Sequence, residues 1–319
     1  MRPLVIGLAG MTHSCPEPQR FLNLVTKEWG WEVLMEGGIG SDLERLWHIA
    51  PGSAGDRFWI VRAPGSDHGM VRVVRGSERR RVRERAARWA GFEIIVTSDI
   101  VGLHRRLANH PDFKPYQAPV DYDFTHAASN LHQAFSSRLP GGTHVTMTMG
   151  VTQPKKRKFP TAKTQVGQFF QVPLNTPQYA RCRAFYEETL GMEVTLESGG
   201  THGPIHKAWK VPPGPMYFLD IVKGDAPDSG RGCIEIHGLP AGFIDDDPAD
   251  PMHFDGGTCM ATLGARDFDG LYRAVTSHRL ARIPTEPGPI AAAPYGGRRA
   301  FCFTGPDAER VEVIEAMWV

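Results

Sequence analysis

The chain repeats itself, and this repeat limits its architecture more than any other feature of its 319 residues. SDIVGLHRRLANH (Ser98–His110) aligns without gaps to RDFDGLYRAVTSH (Arg266–His278). In the same order along the chain, WGWEVLMEGG (Trp29–Gly38) resembles LGMEVTLESGG (Leu190–Gly200). Two matches in one order indicate an internal duplication. We therefore interpret the chain as four modules, in which the third resembles the first and the fourth resembles the second.

Each module has the pattern of one strand, one helix and then three strands, which predicts an α+β fold of four βαβββ modules. In the third module, Val166–Val172 predicts the first strand, and Asn175 or Thr176 is placed to cap the helix that follows. In the fourth module, Asp267 is placed to cap the equivalent helix.

A basic segment rich in proline, TQPKKRKFPTAK (residues 152–163), separates the two halves of the duplication. Such a composition is typical of an exposed linker. We therefore predict two domains, residues 1–151 and residues 164–319, each built from two modules and each long enough to bury a core.

The composition excludes several classes of partner. A net charge of +1 gives no general attraction for nucleic acid or for an anionic membrane. The apolar start Pro3–Met11 is too short to span a bilayer. The five cysteines lie far apart, without a CxxC pair, which indicates reduced thiols and a cytoplasmic location. The expected partner is a small-molecule substrate.

The last strand–turn–strand segment, RRAFCFTGPDAERVEVIEA (residues 298–316), carries a family resemblance. It resembles the end of a module in the vicinal oxygen chelate superfamily, which includes glyoxalase I, bleomycin-resistance proteins and extradiol dioxygenases. ARCRAFYEETLGMEV (Ala180–Val194) resembles the same superfamily. The resemblance implies that two modules pair into one half-open barrel, so that this chain forms two barrels. It also implies that a homodimer is possible.

The resemblance further implies up to four inward-facing positions in each barrel, on the first and last strands of each module. In the second half, the first strand of the third module presents Gln168, or Gln171 if the positions are counted back from Phe185. The last strands present Glu235 and Glu312. We expect Gln168, Glu235 and Glu312 to bind a divalent metal such as Fe, Mn, Mg or Zn.

The same positions also suggest groups for catalysis and for substrate binding. Glu235, Glu312 and His237, which shares the face of Glu235, are the candidate acid–base groups. In the first half, Arg72 and His144 occupy the corresponding positions, and an arginine there repels a cation but can hold an anion. We therefore expect the active site in the barrel of the second half. The candidate substrate-binding residues are Arg72, His144, Tyr217 and His206.

Three function classes agree with this pattern. The first is a metal-dependent enzyme, of lyase, isomerase or dioxygenase type, acting on a small carbonyl or aromatic substrate whose adjacent oxygens chelate the metal. The second is a metal-free enzyme that uses the carboxylates and His237 as acid–base groups. The third is a binding protein of the bleomycin-resistance type.

Overall fold

A computed structural model describes residues 3–76, 88–125, 130–152, 158–200, 217–224, 231–240, 242–244, 252–254, 256–282 and 286–318. The first module contains β1 (Val5–Cys15), α1 (Pro18–Lys27), β2 (Glu32–Gly38), α2 (Ser41–Trp47), β3 (Arg57–Arg62) and β4 (Met70–Arg75). The second contains β5 (Arg88–Trp89), β6 (Phe92–Val96), α3 (Ile100–Leu107), β7 (Lys114–Pro115), β8 (Val120–Phe124), β9 (Asn130–Arg138) and β10 (His144–Gly150).

The third and fourth modules also begin with a strand and a helix, which further strands follow. The third contains β11 (Val166–Thr176), α4 (Tyr179–Ala184, extended by a π-helical turn over Phe185–Thr189), β12 (Glu193–Gly200), β13 (Tyr217–Lys223) and β14 (Cys233–Gly238). The fourth contains β15 (Gly257–Ala265), α5 (Phe268–Ser277), β16 (Gly288–Pro289), β17 (Arg299–Thr304) and β18 (Arg310–Glu315). The predicted α+β class with duplicated modules is confirmed.

The modules combine across the duplication. One sheet has the order β16-β17-β18-β15-β1-β4-β3-β2, so it joins the fourth module to the first. The other has the order β12-β13-β14-β11-β6-β10-β9-β7, so it joins the third module to the second. We call the first sheet, with its helices, the terminal barrel, and the second the central barrel.

This pairing corrects the expectation that residues 1–151 and residues 164–319 each form a barrel of their own. The strand β1 pairs antiparallel with β15, and β6 pairs antiparallel with β11. The first strand of every module offers the same unpaired edge, so a sequence pattern cannot tell which two modules will join. The boundary in residues 152–163 stays a prediction, and residues 153–157 lie outside the described residues.

The repeated Asp-x-x-Gly pattern has a local physical reason. Asp99 accepts a hydrogen bond from the amide of Gly102 at 2.9 Å, and Asp267 accepts one from Gly270 at 2.8 Å. A Cβ on Gly102 would lie 2.0 Å from the Asp99 carboxylate, so the cap requires glycine there. The predicted Asp267 cap is confirmed. In the third module, by contrast, Asn175 and Thr176 belong to β11 and Gln178 precedes the helix.

The two halves also share buried contacts outside the sheets. The indole of Trp31 donates to the carbonyl of Gly167 at 3.1 Å, and the indole of Trp89 donates to that of Arg310 at 2.7 Å. One hydrophobic core contains residues of all four modules, from Val5 to Val313. Within the described part of the chain, no helix is both long and apolar enough to cross a membrane.

Residues 1–151 expressed alone are expected not to fold, because β1 and β6 would each lose the strand that completes their sheet. Circular dichroism and size-exclusion chromatography of this fragment should show an unfolded or aggregated chain. Adding the fragment 164–319 during refolding should restore a 1:1 complex. A compact, cooperatively melting fragment 1–151 would contradict the pairing of modules across the duplication.

A buried carboxyl group lies at the turn between β17 and β18. Glu309 is fully buried, accepts a hydrogen bond from the Tyr186 hydroxyl at 2.8 Å, and also accepts one from the amide of Asp307 at 2.8 Å. Burial, together with the charge of Asp307, raises the pKa of Glu309 to about 8. The folded protein therefore holds a proton on this group that the unfolded chain releases above its ordinary value of 4.5.

Because the folded state binds more protons between these two values, stability should fall as the pH rises from about 4.5 to about 8. Glu309→Gln should flatten this dependence and raise the melting temperature most at pH 8. The control is Glu188→Gln, which replaces an exposed carboxylate two residues after Tyr186. A melting temperature that depends on pH identically in Glu309→Gln and in the wild type would contradict the assignment.

Candidate active site

The interior of the terminal barrel is closed by a buried ion pair. Arg72 on β4 and Glu312 on β18 are both fully buried, and Nη2 of Arg72 lies 3.0 Å from Oε2 of Glu312. Glu312 also accepts hydrogen bonds from the indole of Trp47 at 2.9 Å and from the hydroxyl of Thr262 at 2.8 Å. The hydroxyl of Tyr295 donates to the same carboxylate. Every oxygen of Glu312 is therefore used within the protein.

Aromatic rings surround this ion pair. The guanidinium carbon of Arg72 lies 4.8 Å from the ring centre of Trp47, 5.6 Å from that of Tyr295 and 4.6 Å from that of Trp318. Burial raises the pKa of Tyr295, so its phenol keeps the proton that it donates. The ion pair is enclosed, and both oxygens of Glu312 have partners inside the protein, so they are not available to a ligand. Removing either partner would leave a buried charge without its counterion.

The central barrel, by contrast, contains an open pocket with about 650 Å³ of empty space, its solvent-facing mouth included. The polar side chains that line it come from the four adjacent strands β14, β11, β6 and β10 and from β9 beside them. They are Glu235, His237, Gln171, Glu93, His144, Thr146, Ser136 and His132. The pocket therefore lies where the second and third modules meet.

Glu93 and Gln171 form the centre of the pocket floor. They are direct partners across the β6–β11 pair, and the amide of Gln171 donates to the Glu93 carboxylate. The hydroxyl of Thr148 donates to the other oxygen of Glu93. The thiol of Cys233 donates to the amide oxygen of Gln171 at 3.1 Å. These contacts fix the orientation of both side chains toward the pocket.

Glu235 and His237 occupy one side of the floor. They lie on the same face of β14, with Nε2 of His237 3.0 Å from Oε2 of Glu235. The Glu235 side chain keeps 13% of its surface exposed, which places it in reach of a ligand. Burial and the nearby carboxylates raise the pKa of both Tyr122 and Tyr217, so both remain neutral phenols beside Glu235.

His144 lies on β10, on the opposite side of the pocket. Its Nδ1 contacts the Tyr116 hydroxyl, and its Nε2 lies 2.9 Å from the Thr146 hydroxyl. Burial, reinforced by the charge of His237, lowers the pKa of His144 to about 3. The imidazole is therefore neutral at pH 7, and a neutral tautomer with Nε2–H can accept from Tyr116 and donate to Thr146.

The remaining walls are apolar. His132 stacks on Tyr122 with ring centres 5.2 Å apart and on Phe124 with ring centres 5.9 Å apart. Phe159 meets His132 edge-on at 5.7 Å. The opposite wall is aliphatic and is formed by Leu196, Leu219 and Ile221. A flat ligand body therefore fits between an aromatic and an aliphatic wall, with the polar floor at one end.

The structure does not bring the three predicted metal ligands together. Glu312 is in the terminal barrel with Arg72, because the fourth module pairs with the first. Gln168 donates to the carbonyl of Thr161 at 3.2 Å and lies beside His68, away from the pocket. Glu235 does line the pocket, and so does Gln171, the alternative given by counting back from Phe185.

Of the other predicted site residues, some line the pocket and others do not. His237 and His144 line the pocket, so the structure unites residues expected in different barrels. Tyr217 is fully buried, with its ring centre 5.4 Å from that of His237. Arg72 is enclosed in the terminal barrel, and His206 lies outside the described residues.

Glu93 is the pocket residue that the sequence reasoning missed. Its neighbour Phe92 belongs to the hydrophobic core, so the two side chains lie on opposite faces of β6. The register of the partner strand β11 shifts by one residue between Phe169 and Gln171. The alternation in FEIIV, with a single carboxylate in an apolar strand, was the signal that could have identified it.

The floor contains oxygen donors of the type that a divalent cation prefers, namely the carboxylates of Glu93 and Glu235 and the amide oxygen of Gln171. The oxygens of Glu93 and Gln171 already accept hydrogen bonds, which a bound cation would have to displace. Among the residues that the structure describes, no three His, Cys, Asp or Glu side chains are grouped to hold a metal ion. A cation at this position would therefore depend on Gln171 as well as on the two carboxylates.

Known structures provide the comparison for this arrangement. The chain is similar to glyoxalase I from Zea mays, with 14% identity and a TM-score of 0.62, over 97% of this chain and 92% of that one. It is also similar to a proposed dioxygenase from Bacillus subtilis, with 14% identity and a TM-score of 0.65, over 99% of this chain and 86% of that one.

The chain has the vicinal oxygen chelate fold. The resemblance predicted from the last hairpin and from Ala180–Val194 is confirmed at the level of the fold. No protein-family model matches the chain, and no curated protein matches its sequence. The fold does not by itself determine the reaction, which depends on the residues of the pocket.

Proposed function

We propose that this chain is an enzyme that acts on a small oxygenated molecule in the pocket of the central barrel. One observation carries the proposal: Glu93, Gln171, Glu235 and His144 face an open pocket from four adjacent strands. The corresponding interior of the terminal barrel is filled by Arg72 and Glu312. The terminal barrel is closed by its own side chains, whereas the central barrel is open and lined by polar groups. We therefore assign the active site to the central barrel and a structural role to the terminal barrel.

In the proposed enzyme, Glu93, Gln171 and Glu235 would hold a divalent cation. When bound, the cation would act as a Lewis acid that polarises an oxygen of the substrate. The residues of the chain would move the proton. Glu235 is partly exposed and carries His237 beside it at 3.0 Å, so it is suited to accept a proton. On the opposite side, the neutral His144 is held by Tyr116 and Thr146 and would position polar groups of the substrate by hydrogen bonding.

The metal-free enzyme is the second candidate, and a specific contact favours it. Glu93 already accepts hydrogen bonds from Gln171 and Thr148, so both its oxygens have partners without a cation. In this alternative, Glu93 and Gln171 only shape the floor, and Glu235 with His237 performs the acid–base chemistry while the neutral His144 serves as a hydrogen-bonding group on the opposite side. A cytoplasmic location and a homodimer stay predictions.

Thermal melting with divalent ions separates these candidates. Mn²⁺, Zn²⁺ and Mg²⁺ are added in turn to the chelator-treated chain, and to Glu93→Gln, Glu235→Gln and the exposed control Glu188→Gln. At an ion concentration of 100 times the dissociation constant, the free energy of unfolding of the wild type and of the control should rise by about 2.7 kcal/mol. That of the two pocket variants should change little. No stabilisation by any ion would remove the metal from the proposal and leave the metal-free candidate.

A further inference from the structure

A short segment after β18 lies inside the terminal barrel. The strand ends one residue before Ala316, whose φ of 78° is the left-handed conformation. The amide of Ala316 donates to the carbonyl of Ala265 at 3.3 Å, and Nη1 of Arg298 donates to the carbonyl of Met317 at 2.9 Å. These contacts hold the segment against the sheet. We call the three residues Ala316–Trp318 the strap.

Two glycines of neighbouring strands make room for the strap. A Cβ on Gly264 of β15 would lie 2.4 Å from the sulfur of Met317 and 2.7 Å from the carbonyl oxygen of Ala316. A Cβ on Gly10 of β1 would lie 2.5 Å from Cζ3 of Trp318. Because β1 and β15 are adjacent in the middle of the sheet, the strap crosses the centre of the terminal barrel in close contact with its backbone.

The side chain of Trp318 fills the space beside the buried ion pair. Its ring centre lies 4.6 Å from the guanidinium carbon of Arg72, and 3% of its surface is exposed. Glu312 already balances the charge of Arg72 at 3.0 Å, so the guanidinium presents a flat face to a neutral ring. The chain therefore places one of its own bicyclic side chains where a flat ligand could stack.

This position of the strap is not fully satisfied. Among the described residues, neither Nε1 of Trp318 nor Nε of Arg72 has a hydrogen-bond partner, and both atoms are buried. Such buried N–H groups destabilise the state that contains them. The left-handed backbone of Ala316 adds strain, because a side chain disfavours this conformation. These costs offset part of the favourable apolar contact of the ring, and withdrawal of the strap relieves them.

We propose that the strap is a removable plug: Trp318 occupies a second binding site, in the terminal barrel, and the strap can withdraw while the barrel stays folded. The ligand of this site is a neutral, flat bicyclic molecule that stacks on Arg72 as the indole does. The carboxylate of Glu312 keeps its partners and takes no part in binding. This site is separate from the pocket of the central barrel, so the inference does not depend on the proposed function.

The first variant is Trp318→Gly, and the probe is 3-methylindole, which has the ring and the first side-chain carbon of tryptophan. Melting and isothermal titration calorimetry at pH 7 use the full-length purified chain. We expect Trp318→Gly to melt cooperatively at a lower temperature than the wild type. It should bind one more molecule of 3-methylindole than the wild type and regain at least about half of the lost melting temperature at saturation.

The wild type has the same central pocket, so the difference between the two chains reports the terminal barrel alone. A second probe, 3-methyl-1-benzothiophene, has the same shape without the N–H group. It should bind to Trp318→Gly at least as tightly as 3-methylindole does, because Nε1 of Trp318 has no partner among the described residues.

The second variant, Gly264→Ala, tests withdrawal with the indole still present. The three atoms nearest to its new Cβ all belong to the strap, so the strap must move. We expect Gly264→Ala to stay folded and to bind the additional 3-methylindole at least about tenfold more tightly than the wild type. Gly288→Ala is the matched control, because a Cβ there meets no atom within 4 Å, and it should behave as the wild type.

Loss of cooperative folding in Trp318→Gly or in Gly264→Ala would show that the strap is part of the core, and it would overturn the proposal. Equal uptake of 3-methylindole by Trp318→Gly and by the wild type would overturn the second site. Uptake by Gly264→Ala equal to that by Gly288→Ala would overturn the withdrawal. None of these measurements involves turnover or the ion-dependent melting that tests the proposed function.

Discussion

Replacing Arg72 by methionine is expected to lower the free energy of unfolding by about 3–5 kcal/mol, because Glu312 would remain buried without its cation. Arg72 contacts both oxygens of Glu312, at 3.3 Å and 3.0 Å, and three aromatic rings enclose the pair. Chemical denaturation of Arg72→Met and of Glu312→Gln measures this effect. Either single substitution should lower the free energy of unfolding.

The double variant Arg72→Met/Glu312→Gln is the decisive control for the ion pair. It removes both charges and keeps an amide that can accept from Trp47 and Tyr295. Its loss of stability should be smaller than the sum of the two single losses by more than about 1 kcal/mol. Additive losses would show that Arg72 and Glu312 do not interact as described, and the terminal barrel would again be a candidate site.

Replacing Glu235 by glutamine is expected to lower turnover by about 10²-fold or more while changing the melting temperature little. The carboxylate is the partly exposed acid–base group of the pocket, and the amide keeps its shape. Turnover is measured with a panel of small carbonyl and aromatic compounds, followed by kinetics on the best substrate. The comparison variant is Glu312→Gln, whose turnover is calculated per folded molecule.

Glu312→Gln should be less stable than the wild type but should turn over at a similar rate, since it lies in the closed barrel. This reverses the expectation from the sequence, in which Glu312 was a metal ligand and a catalytic group. Full activity in Glu235→Gln, together with loss of activity in stably folded Glu312→Gln, would place the chemistry in the terminal barrel and contradict the proposal.

The local structure of the last hairpin could be predicted from the sequence. The strands β17 and β18 follow the alternation of its residues, and Val311 and Val313 pack into the core while Glu312 faces the barrel interior. The Asp267 cap follows from an equally local rule. Such features depend on neighbouring residues, so a pattern in one segment is enough to identify them.

The composition of the site could not be predicted in the same way, because it depends on contacts between distant segments. Module pairing decides that His144 meets Glu235 rather than Arg72, and the repeat alone is compatible with either pairing. The position of Glu93 depends on the irregular register of β6 and β11, which shifts between Phe169 and Gln171. A sequence pattern does not show such a shift, so it left Gln168 and Gln171 as alternatives for the inward position of β11.

An anomalous difference map at the manganese edge, from crystals grown with Mn²⁺, locates the cation directly. We expect one peak in the pocket of the central barrel, bounded by Glu93, Gln171 and Glu235. A peak beside Glu312 in the terminal barrel, or the absence of any peak at Mn²⁺ concentrations that saturate the melting shift, would contradict it.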